Sequence, residues 1–229
     1  MSAQLLSLNV GAPEPSTAKN VGITGIGKRP VQSAVLRAPG PKHGGLGSGV
    51  EGDFIGDVQH HGGDTQAVYA FAREELDWWG KELGRDLPHG MFGENLTTRG
   101  LDVDGSFVGD RWALGDEVVL EVCAPRIPCA TFAARMGERG WVKRFSRVGR
   151  TGAYLSVVSG GTVRAGDPIV VMSRPEHDVT VPEVFRAFMG DLDAAHRVLA
   201  ADCLVEAEAA GLREVVARRG QRGAVELDD

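Results

Sequence analysis

The chain has 229 residues, 42% of them hydrophobic, with 32 glycines and a formal net charge of −6. This composition supports an ordinary buried core, and with scattered glycines and no long basic run it excludes a disordered chain, a collagen-like repeat and a nucleic-acid footprint. No stretch approaches the roughly 18 apolar residues of a membrane span and no leader is visible. The three cysteines (Cys123, Cys129, Cys203) lack a paired spacing, so the expectation is a cytoplasmic protein without membrane or nucleic-acid partners.

In chain order, residues 4–10 read as an opening strand and 31–36 as a second short one. Residues 39–63, mostly glycine and polar, read as loops around a site. Leu76, Trp79 and Leu83 recur at helical spacing, which predicts a helix over 68–83 with Glu74 and Glu75 near its start. Gly-Asp pairs at 109–110, 115–116 and 166–167 mark turns before strands, and Val118, Leu120 and Val122 give one strand an apolar face. Further strands are expected at 153–159 and 168–172. Many short strands with glycine-rich connections favour a barrel or sandwich.

Beyond Ser173 the pattern turns helical. Thr180-Val181-Pro182-Glu183 has the form of a capping box, and Val181, Val184, Phe185 and Phe188 keep helical spacing after it. Gly190-Asp191 interrupts, Leu192, Ala195, Val198 and Leu199 resume, and a third helix is expected over 204–218 with a break near Gly211. The basic run 218–222 reads as the charged end of that helix. The division is a mainly β domain over 1–175 and a small three-helix domain over 176–229.

Cys129 follows a strand in the loop Ala124-Pro125-Arg126-Ile127-Pro128. Two prolines stiffen that loop and Arg126 favours a thiolate, which suits a nucleophile or soft-metal ligand; a buried small hydrophobe is the other reading. Cys123 and Cys203 read as packing residues. Gln59-His60-His61-Gly62-Gly63-Asp64 is no zinc cage, because adjacent side chains on an extended chain point apart and no third ligand has a recognisable spacing. It reads as a loop aiming one histidine at a ligand, or as a turn.

Gly22-Ile23-Thr24-Gly25-Ile26-Gly27-Lys28 nearly spells a phosphate loop, but Arg29 and Pro30 replace the hydroxyl residue and the helix start, so a nucleotide triphosphatase is rejected. Lys28, Arg29, Ser33 and Arg37 suit one phosphate or are ordinary surface charge. Glu94 and Asn95, beside Gly93, could fix the edge of a polar ligand.

Together Ser33-Ala34-Val35, Gly52-Asp53, His61-Gly62-Gly63 with Ala67-Val68-Tyr69, Phe92-Gly93-Glu94-Asn95-Leu96, Val108-Gly109-Asp110 and Pro125-Arg126-Ile127-Pro128-Cys129 resemble the MOSC domain, the family related to the C-terminal part of molybdenum cofactor sulfurases. Ser173-Arg174 and Asp178-Val179-Thr180-Val181 resemble the entry to the three-helix extension of its YiiM-like members. The resemblance implies a β-barrel-like fold and a molybdenum–molybdopterin cofactor (Moco), with Cys129 as metal ligand and catalytic centre. It also implies a pterin phosphate near Lys28, Arg29, Ser33 and Arg37, charge neutralisation by Arg126, and His61, Glu94 and Asn95 lining the pterin or substrate. Where many relatives carry Pro-Asp and a basic residue after His-Gly-Gly, this chain has Asp64-Thr65-Gln66 and lacks that cation.

The implied activity is reduction of N-hydroxylated compounds, such as hydroxylaminopurine-type base analogues, with electrons from a separate donor protein. Two alternatives stand beside it. One is a sulfur carrier in which Cys129 accepts a persulfide from a pyridoxal-phosphate cysteine desulfurase; the other is a non-catalytic cofactor-binding module.

Overall fold

Strand-forming runs separated by glycine turns carry the chain through a mixed α/β architecture, seen in a computed structural model that describes residues 2–19 and 21–225. β1 (Gln4–Val10) is followed by the short β2 (Glu14–Pro15) and β3 (Ile23–Thr24), which pair only with each other. The strand expected over 31–36 is two: β4 (Arg29–Val31) and β5 (Ser33–Leu36). Gln32 separates them and they join different sheets. β4 pairs with β1, whereas β5 forms a ribbon with a later strand, β11 (Gly161–Arg164).

The helix expected over 68–83 begins only at residue 73. Residues 68–72 form β6 (Val68–Ala72), all five buried, and α1 (Arg73–Leu83) follows directly. A strand covered on both faces has no polar side, so Val-Tyr-Ala-Phe-Ala lacks the alternation that announces a strand. The helical spacing of Leu76, Trp79 and Leu83 lies wholly inside α1. α1 is the crossover to β7 (Leu96–Arg99), which lies parallel to β6, as a parallel neighbour requires.

The Gly-Asp turns lead into β8 (Arg111–Leu114), β9 (Val118–Pro125) and β12 (Ile169–Ser173), and β10 (Ala153–Ser159) lies between β9 and β6. Eight strands form one sheet in the order β12-β8-β9-β10-β6-β7-β1-β4. A closed barrel is not confirmed: β12 and β4 remain edges. The sheet curls enough for Leu5 N to donate to Asp167 O at 2.8 Å and Ile169 N to Ala3 O at 2.9 Å, but contact at the turn into β12 does not make a ladder.

Two helices with no counterpart in the sequence reading, α2 (Ala130–Met136) and α3 (Trp141–Val148), pack with α1 around an aromatic cluster of Trp79, Phe92, Phe132, Trp141 and Phe145. A second, aliphatic core fills the sheet, including Leu5, Leu8, Leu120 and Leu155. After β12 come α4 (Val181–Phe188), α5 (Leu192–Ala200) and α6 (Glu206–Val225). Thr180 caps α4 by accepting from Glu183 N at 3.4 Å. The box does not close reciprocally; Glu183 instead accepts from Arg197 at 2.6 Å, tying α4 to α5. α6 runs through Gly211 without a break and includes the basic run, because packing of neighbouring Leu212 outweighs the glycine's cost. Val184, Ala187, Ala195, Val198 and Leu212 form this segment's own core, with Val108 and Val179 joining it. No helix among the described residues is long and apolar enough to cross a membrane.

Candidate functional site

β9 delivers the chain through Arg126-Ile127-Pro128 to Cys129, which stands at the N-terminal boundary of α2 in extended conformation. The thiol is half-buried and its pKa is brought down to about 6. Burial works against the thiolate; His61, the Arg126 guanidinium and the first-turn amide of Phe132 outweigh it. Cys123 goes the other way, pushed up to about 11 chiefly by burial, which fits a packing residue.

Arg126 is itself buried. Its Nη1 donates to Phe92 O at 2.6 Å, and the guanidinium carbon lies 4.2 Å from the Phe132 ring centre and 4.9 Å from that of Tyr69. Its Nε, also buried, has no partner among the described residues. A guanidinium held by aromatic faces rather than a carboxylate keeps its charge available to an anion beside Cys129. The chain's two tyrosines, Tyr69 and Tyr154, face each other across β6 and β10 with ring centres 5.1 Å apart, and both line the cleft.

His61 reaches the site on a loop that glycine makes possible. Gly62 and Gly63 have φ of 86° and 82°, and a Cβ at either would meet backbone at 2.7 Å, Gly47 O and Lys42 N respectively. Beneath this loop Asp53 gathers four donors: Lys28 Nζ, paired with both its oxygens, Gly11 N at 2.7 Å, Ser48 Oγ at 2.8 Å and Asn95 Nδ2 at 3.0 Å. Burial lowers the pKa of Lys28, with Asp53 opposing. Asn95 also accepts from Tyr69 N at 3.2 Å, so this network fixes one wall of the cleft.

Cys129, His61, Arg126, Asn95 and Lys28 therefore converge on one solvent-open cleft of about 660 Å³. A side pocket of about 870 Å³, open at its mouth, meets it at Cys129 and His61. Four expected residues are elsewhere. Arg29, Ser33 and Arg37 are exposed on or beside β4 and β5, outside the cleft, because β5 departs into its ribbon with β11. The expected phosphate cradle is thus not assembled, and Lys28, the one member at the cleft, is neutralised by Asp53. Glu94 is fully buried and turned inward, accepting from Gly90 N, Phe92 N and Thr97 Oγ1 at 2.6, 3.0 and 2.9 Å. Burial raises its pKa, and it braces the 90–97 turn rather than facing a ligand.

Sequence reasoning gave no role to Asp53, Tyr69 or Tyr154. The scarcity of tyrosine was the available signal for the latter two; Asp53 gave none beyond the Gly52-Asp53 pair. Among the described residues no three His, Cys, Asp or Glu side chains could hold a metal ion unaided. One soft thiolate beside a buried, partnerless Arg126 Nε fits a different guest: an anionic group that brings a metal with most of its own ligands.

Comparison with known proteins bears on that guest. A family model described as MOSC domain matches residues 57–170. YflK of Bacillus subtilis (strain 168) is 35% identical over 206 residues, covering 88% of this chain and 89% of that protein. Protein YiiM of Escherichia coli (strain K12) is 31% identical over 159 residues, 67% of this chain and 70% of that protein. A protein of Gibberella moniliformis (strain M3125 / FGSC 7600) named Reductase is 34% identical over 118 residues, half of this chain but only 21% of its own length. In structure, YiiM from Geobacillus stearothermophilus superposes with a TM-score of 0.73 at 24% identity, covering 93% of this chain and 99% of that one.

Proposed function

The chain belongs to the MOSC domain family, and on that premise we propose that it is a molybdenum–molybdopterin oxidoreductase that reduces N-hydroxylated compounds. The observation that carries the reading is Cys129: a thiol with a pKa of about 6 beside a buried guanidinium that, among the described residues, has no carboxylate partner, in a cleft with no self-sufficient metal-ligand set among them. The family's general association with this cofactor and the reductase name of one partial relative support it. When bound, such a cofactor supplies reversible two-electron redox chemistry.

This chain's own residues do the rest. Cys129 contributes one soft thiolate ligand, ionised at neutral pH without help from the metal. Arg126 balances anionic charge at the inner end of the cleft, held in place by Phe132 and Tyr69. His61 can hold a proton against Sγ, and Asn95 with the Lys28–Asp53 pair gives a polar, nearly neutral wall. The reaction adds two electrons and two protons to an N–OH group, breaks the N–O bond and releases an amine and water. The electrons come from a separate donor protein, and hydroxylaminopurine-type base analogues are the proposed substrates.

The test is reduction of hydroxylaminopurine by cofactor-loaded protein with an artificial donor. Turnover by wild type and its loss in Cys129→Ser is the expected result; inactive loaded wild type contradicts the reading. The depressed thiol pKa equally suits a nucleophile, which keeps the sulfur-carrier reading alive. Persulfide on Cys129 after incubation with a cysteine desulfurase and cysteine, in protein that takes up no molybdenum, favours that second reading.

A further inference from the structure

The side pocket is not used by the account above. It overlaps the main cleft along Asp57, His61, Gln66, Cys129 and Tyr154, and extends beyond it past an apolar wall of Pro125, Ile127 and Pro128. Asp57 and His60 also line it. His60 Nδ1 lies 2.9 Å from Asp57 Oδ2 and 3.1 Å from Oδ1, and the His60 backbone amide approaches the same carboxylate at 3.4 Å. Burial opposes ionisation of Asp57, but its hydrogen bonds and charge interaction with His60 outweigh it and hold its pKa below the ordinary value.

An ionised carboxylate at Nδ1 keeps the ring proton on that nitrogen and leaves Nε2 as the free atom. Neutral, Nε2 accepts from an N–H or O–H; protonated, it donates. Among the described residues no Lys or Arg lines the side pocket, so it suits an uncharged guest, whereas Arg126 in the main cleft, whose Nε has no partner among them, suits an anion. The two compartments thus differ in chemistry and overlap along Cys129, His61, Asp57 and Tyr154.

We propose that the side pocket is the substrate subsite, taking a flat uncharged N-heterocycle whose exocyclic hydroxylamino or amino group is hydrogen-bonded by His60 Nε2, with Asp57 fixing the tautomer. The ring lies against Ile127, Pro128 and Tyr154, and the exocyclic nitrogen is turned toward Cys129. This rests on the reductase reading for the identity of the substrate, but not for the existence of the subsite.

The experiment follows alkylation of Cys129 by iodoacetamide, read by peptide mass spectrometry on the purified full chain, with 6-hydroxylaminopurine or unsubstituted purine added. Each rate is divided by the same variant's rate without ligand. Hydroxylaminopurine is expected to protect wild-type Cys129 and purine to protect it less. His60→Ala and Asp57→Asn should each need about fivefold more ligand for the same protection, the worth of one hydrogen bond. No protection of wild type at millimolar ligand overturns the subsite, as does equal protection in both variants or equal protection by purine. No turnover is involved, so protected but inactive loaded protein counts against the reductase alone, while turnover without protection counts against the subsite alone.

Discussion

Arg126 places its guanidinium carbon 4.2 Å from the ring centre of Phe132, a residue of the helix that begins at Cys129. The charge that favours the thiolate is therefore held by the element that positions the thiol. Arg126→Met keeps much of the packing and removes the charge. The midpoint for Cys129 alkylation in metal-free protein, about 6 in the wild type, is then expected to move toward the ordinary thiol value of about 8.5. Thiolate at pH 7 falls accordingly. An unchanged midpoint contradicts the electrostatic role given to Arg126.

Asp53 and Lys28 form a buried pair of unequal members. Asp53 has three other donors, whereas among the described residues the ammonium's one ion-pair partner is Asp53. Asp53→Ala strands a buried cation and should cost about 3–5 kcal/mol, and Lys28→Met distinctly less. Urea unfolding of the two variants measures the difference; equal losses argue against the hub.

Asp104, between the sheet and α1, accepts from Thr151 N at 2.7 Å and Gly152 N at 3.0 Å through one oxygen. Burial raises its pKa to about 6 despite those bonds. A carboxyl with a raised folded-state pKa favours folding most when protonated, so its contribution declines as pH rises from about 4 to about 6. Asp104→Asn retains an acceptor for both amides and removes the charge. It is expected to gain on the order of 2 kcal/mol at pH 7 relative to wild type and to flatten the pH dependence in that window. Unfolding curves at pH 4.5 and 7 decide it, and a destabilised variant at pH 7 contradicts it.

What the sequence made legible was local. The Gly-Asp turns, the apolar face of Val118, Leu120 and Val122, the Thr180 cap and the proline-stiffened loop before Cys129 are all written within a few residues of themselves. What it hid depends on distant neighbours. β6 read as helix because the aliphatic core covers one of its faces and the aromatic cluster the other, which removes the need for a polar face. α2 and α3 went unseen because each is only about two turns long, with a single buried i,i+4 pair, Phe132 and Met136 or Trp141 and Phe145. The placement of Ser33 and Arg37 outside the cleft was hidden because it depends on which strand pairs with β5, and that strand is more than a hundred residues away in sequence. That Cys129, His61, Arg126 and Asn95 line one cleft follows from short segments whose glycines or prolines restrict where each points.

The central claim is that Cys129 holds a molybdenum–pterin cofactor, and its most direct measurement is the molybdenum and pterin content of wild type and Cys129→Ser purified from a cofactor-competent host. Near-stoichiometric molybdenum and pterin in wild type, with molybdenum sharply reduced in the folded variant, is the predicted result. Wild-type protein without molybdenum, or a variant that retains the full complement, contradicts the account.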